Sequence, residues 1–570
     1  MKKIIFTLTL TLLLCLFLSA CAEKPPIGEA AITSTSPKKG NNQTESPQNS
    51  DGSTEEGSSG FTYKLTEDKS GYILASIEKA EEGDIVIPKT HEGLPVKAIG
   101  TSAFMKKNIT SVKILAPIES IGENAFKECS KLTGVTFEDS SKLTSIGKSA
   151  FSECGSLKNI TFSDKCGLTE IGNEAFSGCG QLQSFTLPAD TPLKKIGYKV
   201  FYYCASLKEM ILPDSLERIA DGAFSMAYNL SKVYIPKSLD QKSAYAFFDC
   251  PLKEITVSPD AQNYSGSGNC LLNKDETVLY KGTATSKIPA TVKEIGSGAF
   301  KRCRELTEIT LPEGLTKIGG EAFYNCESLK RIEIPEGVEN IQVGTFHSCK
   351  SLEYIKLPKS LTYIDETFMY CPNLKTVEIH KDNKLVYGDG TCIVCVFDFK
   401  EGKTLVFATE DTVIPEGVET IGYNAFFNAA GLKKIHIPAS VKAIYGAFSQ
   451  CPELSEVTFA EGNACEVIEQ SAFFGTKIKT FELPSTLNFL HPYAFYKCAE
   501  LETVTMSYFE DEEYCIPFVH CPSLKTINFK GTVAQWQKLE KTTKARNFEF
   551  WREDCPNVTV ICTDGTVTYN

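Results

Sequence analysis

At 570 residues the chain is too long for one compact core, which excludes a single globular domain unless the core grows along one axis, as in a repeat array. With 42% hydrophobic and 23% charged residues it has the composition of a folded protein. The formal net charge is −12 and no basic tract occurs, so nucleic acid is not an expected partner and the acidity implies only solubility and repulsion of anionic surfaces.

Residues 1–20 read as a signal peptide. Lys2 and Lys3 form a positive start, and Ile4 to Leu18 form an apolar run too short for a comfortable membrane span. The run ends at Leu18-Ser19-Ala20-Cys21, which resembles a bacterial lipoprotein signal. Cys21 is then the acylated N-terminus, and the lipid is the expected contact with the membrane. Residues 21–60 are that cysteine and a tether. From Ala22 to Gly60 the chain is Ser, Thr, Pro, Gly, Asn, Gln and charge with no aromatic residue, too little apolar surface to offset ordering entropy. Such a chain spans on the order of 35 Å.

Residues 61–95 are expected to cap the N-terminal end of a stack, with Ile85-Val86-Ile87-Pro88 as a strand. Internal repetition dominates the chain beyond them. The clearest unit runs from Leu306 to Cys326, through Ile309-Thr310-Leu311-Pro312, Leu315, Ile318-Gly319 and Ala322-Phe323. Its phenylalanine recurs at Phe104, Phe126, Phe151, Phe176, Phe201, Phe224 and Phe247. It continues at Phe300, Phe323, Phe346 and Phe368, then at Phe426, Phe448, Phe473 and Phe495, with a degenerate copy at Phe518. Ile309 and Leu311 alternate with polar Glu308 and Thr310, the period of a strand buried on one side. Pro312 lacks the N–H a ladder would use and ends that strand. Ala322-Phe323 opens a short helical or irregular turn that puts a ring inside. One unit cannot cover its own apolar side, so the units must stack in register.

The unit resembles the BspA-like, or Treponema pallidum-type, leucine-rich repeat in its I-P, I-G, A-F and C positions, over roughly Val96 to Phe529. Lys107, Ala227, Ala429 and Thr476 stand where the unit usually has cysteine. The resemblance implies an α/β solenoid: a leucine-rich-repeat array with a parallel strand ladder, two hairpin insertions and terminal caps. It also implies a bacterial surface protein of the kind that attaches to host matrix or to other cells.

The two long phenylalanine intervals divide the array. Repeat block 1 is 96–257, followed by a hairpin insertion at 258–287 with Leu271-Leu272 and Val278-Leu279-Tyr280 about a polar turn. Block 2 is 288–380, followed by a second insertion at 381–413 with Cys395-Val396-Phe397 and Leu405-Val406-Phe407 about Lys400-Glu401-Gly402-Lys403. Both are expected to continue the stack, the other reading being a protruding arm. Block 3 is 414–529. Residues 530–570, with Trp536, Trp551, Cys555 and Cys562, read as a C-terminal cap of short helix and closing hairpin.

Most of the 22 cysteines lie three residues after a repeat phenylalanine, so their simplest role is as small buried hydrophobes. In-register side chains point the same way, which suits a disulfide poorly. Thiols are therefore expected, and with them a reducing or anaerobic habitat. Cys392-Ile393-Val394-Cys395 has the spacing of redox and zinc sites, but in a strand residues three apart face opposite sides. Cys555 and Cys562 could close a terminal disulfide.

The six histidines form no metal motif, and no nucleophile elbow or phosphate loop occurs. No enzyme, metal or cofactor is expected, although a hydrolase site assembled across distant repeats would escape such a search. What remains is the extended concave face of the strand ladder. Its outward slots include Glu308 and Thr310, Arg331 and Glu333, Tyr354 and Lys356, Thr376 and Glu378, Glu209 and Ile211, and Lys434 and His436. Arg331, Tyr354 and Lys356 are the first candidates for holding a protein or glycan ligand, with Lys232 and Tyr234 second. The other reading is a solvated face of Thr and Glu, and the other partner a bacterial envelope protein.

Overall fold

In the computed structural model the described residues are 58–78, 83–364, 366–397, 402–508, 516–545, 555 and 557–569. The leader, Cys21, the tether up to residue 57, Lys400, Glu401 and Trp551 lie outside them. Folded structure begins inside the expected tether: the Ser58 N–H donates to Val86 O at 2.9 Å and the Val86 N–H to the Ser58 hydroxyl at 2.8 Å.

The described residues from Ser58 onward form a parallel-strand solenoid within one compact unit, Glu55–Asn570. Most coils contribute two strands; around Phe185 the longer one is absent, and in the unit Leu306 to Cys326 it shrinks to an isolated bridge between Glu308 and Arg331. The longer comes from the apolar pair before the proline, as in Tyr354–Leu357 and Thr376–Ile379. Its period-two pattern buries Ile355 and Leu357 and leaves Tyr354 and Lys356 on the other face. The shorter comes from the Ile-Gly pair: Lys317–Ile318 pairs in parallel with Glu294–Ile295 and with the strand Asn340–Ile341. Glycine follows because this segment runs against the previous coil. A Cβ on Gly319 would lie 2.4 Å from the Ser297 N.

Apart from a 3-10 helix at Gln241–Phe247, the phenylalanine turns are not helical among the described residues. Asn124, Phe126 and Glu128 donate their N–H groups to the next coil, at Lys148, Ala150 and Ser152, while Ala125, Lys127 and Cys129 donate three residues back. Left-handed backbone at Asn124 (φ 56°) and Glu128 (φ 61°) accompanies this alternation, and the same two positions are left-handed in most coils. Among the described residues the α-helical content is therefore confined to Val533–Ala545, and the α component of the expected α/β solenoid is small.

The rings stack as the repeat demands. Within each block successive phenylalanines from Phe104 to Phe495 lie 4.9–5.8 Å apart with planes within 23°, and Phe518 follows tilted at 44°. Where a coil carries the cysteine it is buried beside them, and the structure adds a role to that of apolar filler. Cys129 Sγ donates to Phe104 O, Cys154 to Phe126 O, Cys326 to Phe300 O and Cys498 to Phe473 O, at 3.0–3.2 Å. Burial pushes Cys250 and Cys451 up to a pKa of about 12, so they hold the proton they donate, whereas the neighbouring Cys154 thiol draws Cys129 down. Cys392 packs into the core of block 3 and Cys395 into that of block 2, which dissolves the C-x-x-C spacing into two separate buried thiols. Cys555 directs Sγ to Cys521 O at 3.0 Å and Cys562 is unbridged, so the terminal disulfide is not formed.

Both insertions stay in the stack. Leu271–Asn273 and Val278–Lys281 form an antiparallel hairpin, as do Cys392–Phe397 and Gly402–Ala408. The second strand of each starts the short parallel ladder of the next block. The N-terminal cap is built the same way, from Phe61–Leu65 and Tyr72–Ile77. Leu74, Leu279 and Leu405 are equivalent in the three hairpins: each carbonyl accepts the N–H of the following Ile-Gly glycine, at 2.7, 2.8 and 2.9 Å. The hairpin coils lack a phenylalanine turn, and each fills the gap differently. Phe407 packs edge-on against Phe368 at 5.2 Å. In the first insertion Lys281 is 1% exposed, and its ammonium donates to the carbonyls of Phe248, Gly298 and Lys301 at 3.3–3.4 Å. At the far end the helix Val533–Ala545 and the hairpin Thr559–Cys562 and Gly565–Thr568 close the stack, and Trp536 Nε1 donates to the Tyr569 hydroxyl at 2.7 Å.

Candidate ligand-binding face

The long-strand ladder decides which outward side chains meet. Arg331 pairs with Tyr354 and then Thr376, while Glu333 pairs with Lys356 and then Glu378. The structure thus brings Arg331, Tyr354 and Lys356 together. The Arg331 guanidinium lies 3.9 Å over the Tyr354 ring and 2.6 Å from Glu333. The Tyr354 hydroxyl donates to Glu378, which also pairs with Lys356 at 3.2 Å. Desolvation and then Glu378 push Tyr354 up to about 12, so the phenol stays protonated. Tyr354 and Lys356 together hold the Glu378 carboxyl below its usual pKa.

Lys232 and Tyr234 sit in a different ladder. There Lys232 lies between Glu209 and Glu254, and Tyr234 between Ile211 and Thr256. Lys232 pairs with Glu254 at 3.0 Å, and the Tyr234 hydroxyl donates to Asp214 at 3.3 Å. Ile211 beside it is 65% exposed. Lys434 pairs with Glu456, and His436 meets the Thr458 hydroxyl at 2.9 Å. Each candidate cation thus already has an acidic neighbour. The face is a set of fixed, mutually neutralised charges around Tyr354 and Tyr234. Ion pairs this exposed contribute little to stability; their effect is to hold the aromatic rings in place.

A second surface lies on the phenylalanine turns, away from the strand slots. Tyr198 and Tyr203 are 44% and 49% exposed, and Tyr228 stands 6.1 Å from Tyr203. The signal in the sequence is Tyr198-Lys199-Val200-Phe201-Tyr202-Tyr203, with three tyrosines where the two adjacent coils carry Asn173, Ser177 and Gly178 and Asp221, Ser225 and Met226.

Among the described residues no group of three or more His, Cys, Asp or Glu could hold a metal ion, and no helix is long and apolar enough to cross a membrane. A small cavity at the second insertion is lined by Phe368, Phe407, Glu410, Asn424 and Phe427.

The model of the BspA type leucine rich repeat region matches residues 97–191, 166–267, 279–389 and 407–508. The chain belongs to the BspA-type leucine-rich repeat family. The matched segments stop and restart near the two hairpins, so the BspA-type repeats are the three blocks and the hairpins join them. Solved structures are similar in part. A leucine-rich repeat protein from Eubacterium ventriosum is 24% identical over 75% of this chain and 96% of that one, with a TM-score of 0.42. A leucine rich cell surface protein from Faecalibacterium prausnitzii is 21% identical over 85% and 97%, with a TM-score of 0.31. The pneumococcal vaccine antigen PcpA is 18% identical over 85% and 95%, with a TM-score of 0.38. No curated protein matches the chain.

Proposed function

We propose that this BspA-type protein is a lipid-anchored lipoprotein of the bacterial cell surface that binds a protein or glycan ligand on its strand face, without catalysis. The observation that carries the reading is the Arg331–Tyr354–Lys356 cluster, in which a large amphipathic ring is pinned between a guanidinium and a carboxylate on an exposed face. Rigid tyrosine and arginine side chains lose little entropy on contact, which is why they anchor interfaces. The signal peptide and Cys21 supply the anchor, and the polar tether sets the solenoid away from the membrane.

The test is capture. The purified repeat region would be incubated with host extracellular-matrix extract and with cell envelope extract in parallel. Arg331→Glu combined with Tyr354→Ala should lose the captured ligand while melting at the same temperature as the parent. Undiminished capture by the double variant and by charge reversals at Lys232, Lys356 and Lys434 would remove the strand face from the mechanism. For the anchor, metabolic labelling with a fatty acid should tag the parent and leave Cys21→Ala unlabelled.

A further inference from the structure

The turn face of the coil around Phe201 departs from its neighbours in a way the fold does not require. Most phenylalanine turns have left-handed residues two before and two after the ring. Some coils place Gly or Asn there, as at Asn124, Gly178 and Gly222, and others place small or charged residues, as at Ser149 with Glu153. This coil has Lys199 (φ 52°) and Tyr203 (φ 58°) instead. Tyr370 stands at the same position in another coil, where it packs edge-on against Phe427 at 4.6 Å. Tyr203 meets the Tyr228 ring edge-on at the longer distance of 6.1 Å and stays half exposed. A half-exposed ring where the adjacent coils carry Gly178 and Met226 offers apolar surface that the stack itself does not use.

The surroundings say what that contact is. Lys199 Nζ lies 5.1 Å from the Tyr198 ring centre and 4.8 Å from that of Tyr202. Among the described residues no carboxylate stands within ion-pair distance of it, whereas the strand-face cations Lys232, Arg331, Lys356 and Lys434 each have one. Arg302 backs the neighbouring Tyr228 ring at 4.8 Å and is itself fixed by Asp249 at 3.4 Å. The result is a fixed row of tyrosine rings with one ammonium left uncompensated.

We infer that this surface, separate from the strand face, binds an acidic glycan. The apolar C–H face of a pyranose would lie on Tyr203 and Tyr198, and the carboxylate of a uronate unit would meet Lys199. Aromatic rings carrying a hydroxyl suit a ligand that is apolar on one face and hydroxylated at its rim, better than an acyl chain. The ammonium, already held over two rings, needs no reorganisation to receive an anion.

The experiment is calorimetric titration of the full mature chain with a hyaluronan hexasaccharide, with cellohexaose as the neutral comparison and a polyproline peptide as a competing class. The acidic hexasaccharide should bind at least 10-fold more tightly than cellohexaose. Tyr203→Ala and Lys199→Gln should each weaken it at least 10-fold, while Lys199→Arg and Tyr203→Trp retain it; both residues are on the surface, and unchanged melting confirms the fold. Arg331→Glu with Tyr354→Ala should leave this binding intact, so it can stand or fall apart from the strand face. Equal affinity for the neutral sugar, binding of polyproline alone, absence of sugar binding, or full binding by Tyr203→Ala would each overturn the inference.

Discussion

At the scale of single residues, the repeat cysteine is the most informative side chain. Periodicity shows that it is buried, but burial alone does not distinguish cysteine from alanine or valine. The distinction is the S–H group, which gives the Phe300 carbonyl a second donor from Cys326 besides the Cys303 N–H of its own coil. Thr476 differs: in the cysteine position its hydroxyl donates to Phe473 O of its own coil at 3.1 Å, whereas the cysteines reach the carbonyl of the preceding coil. Cys326→Ala should therefore cost about 1–2 kcal/mol, well below the 3–5 kcal/mol or so expected for Phe323→Ala. Urea denaturation of Cys326→Ser decides between donor and filler. If serine is less stable than alanine, the hydrogen bond contributes nothing. Two histidines carry a pH prediction. Burial, and for His347 also the charge of Lys301, holds His347 and His491 at a pKa of about 4, below the unfolded value of about 6.5. The native state thus binds fewer protons between these limits. Stability is complete above about pH 6.5 and falls as the pH drops towards 4, by about 3 kcal/mol for each histidine. Melting temperature against pH should show this decline, and His347→Gln should flatten it.

At the scale of elements, the sequence was legible where periodicity applies and silent where a motif is broken. Although Ile309-Thr310-Leu311 has the period and leaves only an isolated bridge at Glu308, most of the long strands, the phenylalanine stack, both hairpins and the terminal helix follow from apolar spacing and turn residues. The short Ile-Gly strands do not, because two residues are too few to show a period; only the glycine hints at them. Lys281 was hidden too, since a lysine before glycine reads as a solvated turn. In the fold it stands where the next phenylalanine turn is missing, and its ammonium replaces amide donors that turn would have supplied. Lys281→Met keeps the length and removes the charge. It should destabilise the junction by about 1–3 kcal/mol, seen as faster amide exchange at Gly298 and Lys301. Unchanged exchange there would mean the carbonyls do not depend on the lysine. The candidate site divides in the same way. Arg331, Tyr354 and Lys356 could be read as neighbours because strand register is set by repeat length. The turn-face tyrosines could not, because nothing in the spacing says that two turn positions are left-handed.

At the scale of the whole solenoid, the hairpins are partitions. The buried side chains fall into three cores, running from Leu74 to Leu271, from Cys270 to Phe407 and from Cys392 to Cys562. Adjacent residues of a hairpin strand point into different cores: Cys270 and Leu271 do so, as do Ile393 and Val394. Strand alternation alone produces this, since successive side chains leave opposite faces. Each block therefore begins on its own hairpin, like the N-terminal cap. In a repeat array, stability is a sum of unit and neighbour terms, and a wall between cores is where cooperativity should weaken. Phe126→Ala should raise amide exchange throughout Leu74–Leu271 and leave residues 426–529 as protected as in the parent. Exchange rising equally in all three blocks would make the array one cooperative unit.

The thiols give the chain a built-in gauge of its own breathing. Most coils carry one sulfur that is shielded while its coil is docked and reachable once the coil lifts away. Alkylation followed by peptide mass mapping would thus assign an opening rate coil by coil along the stack, with no label added, and would show where the solenoid first comes apart.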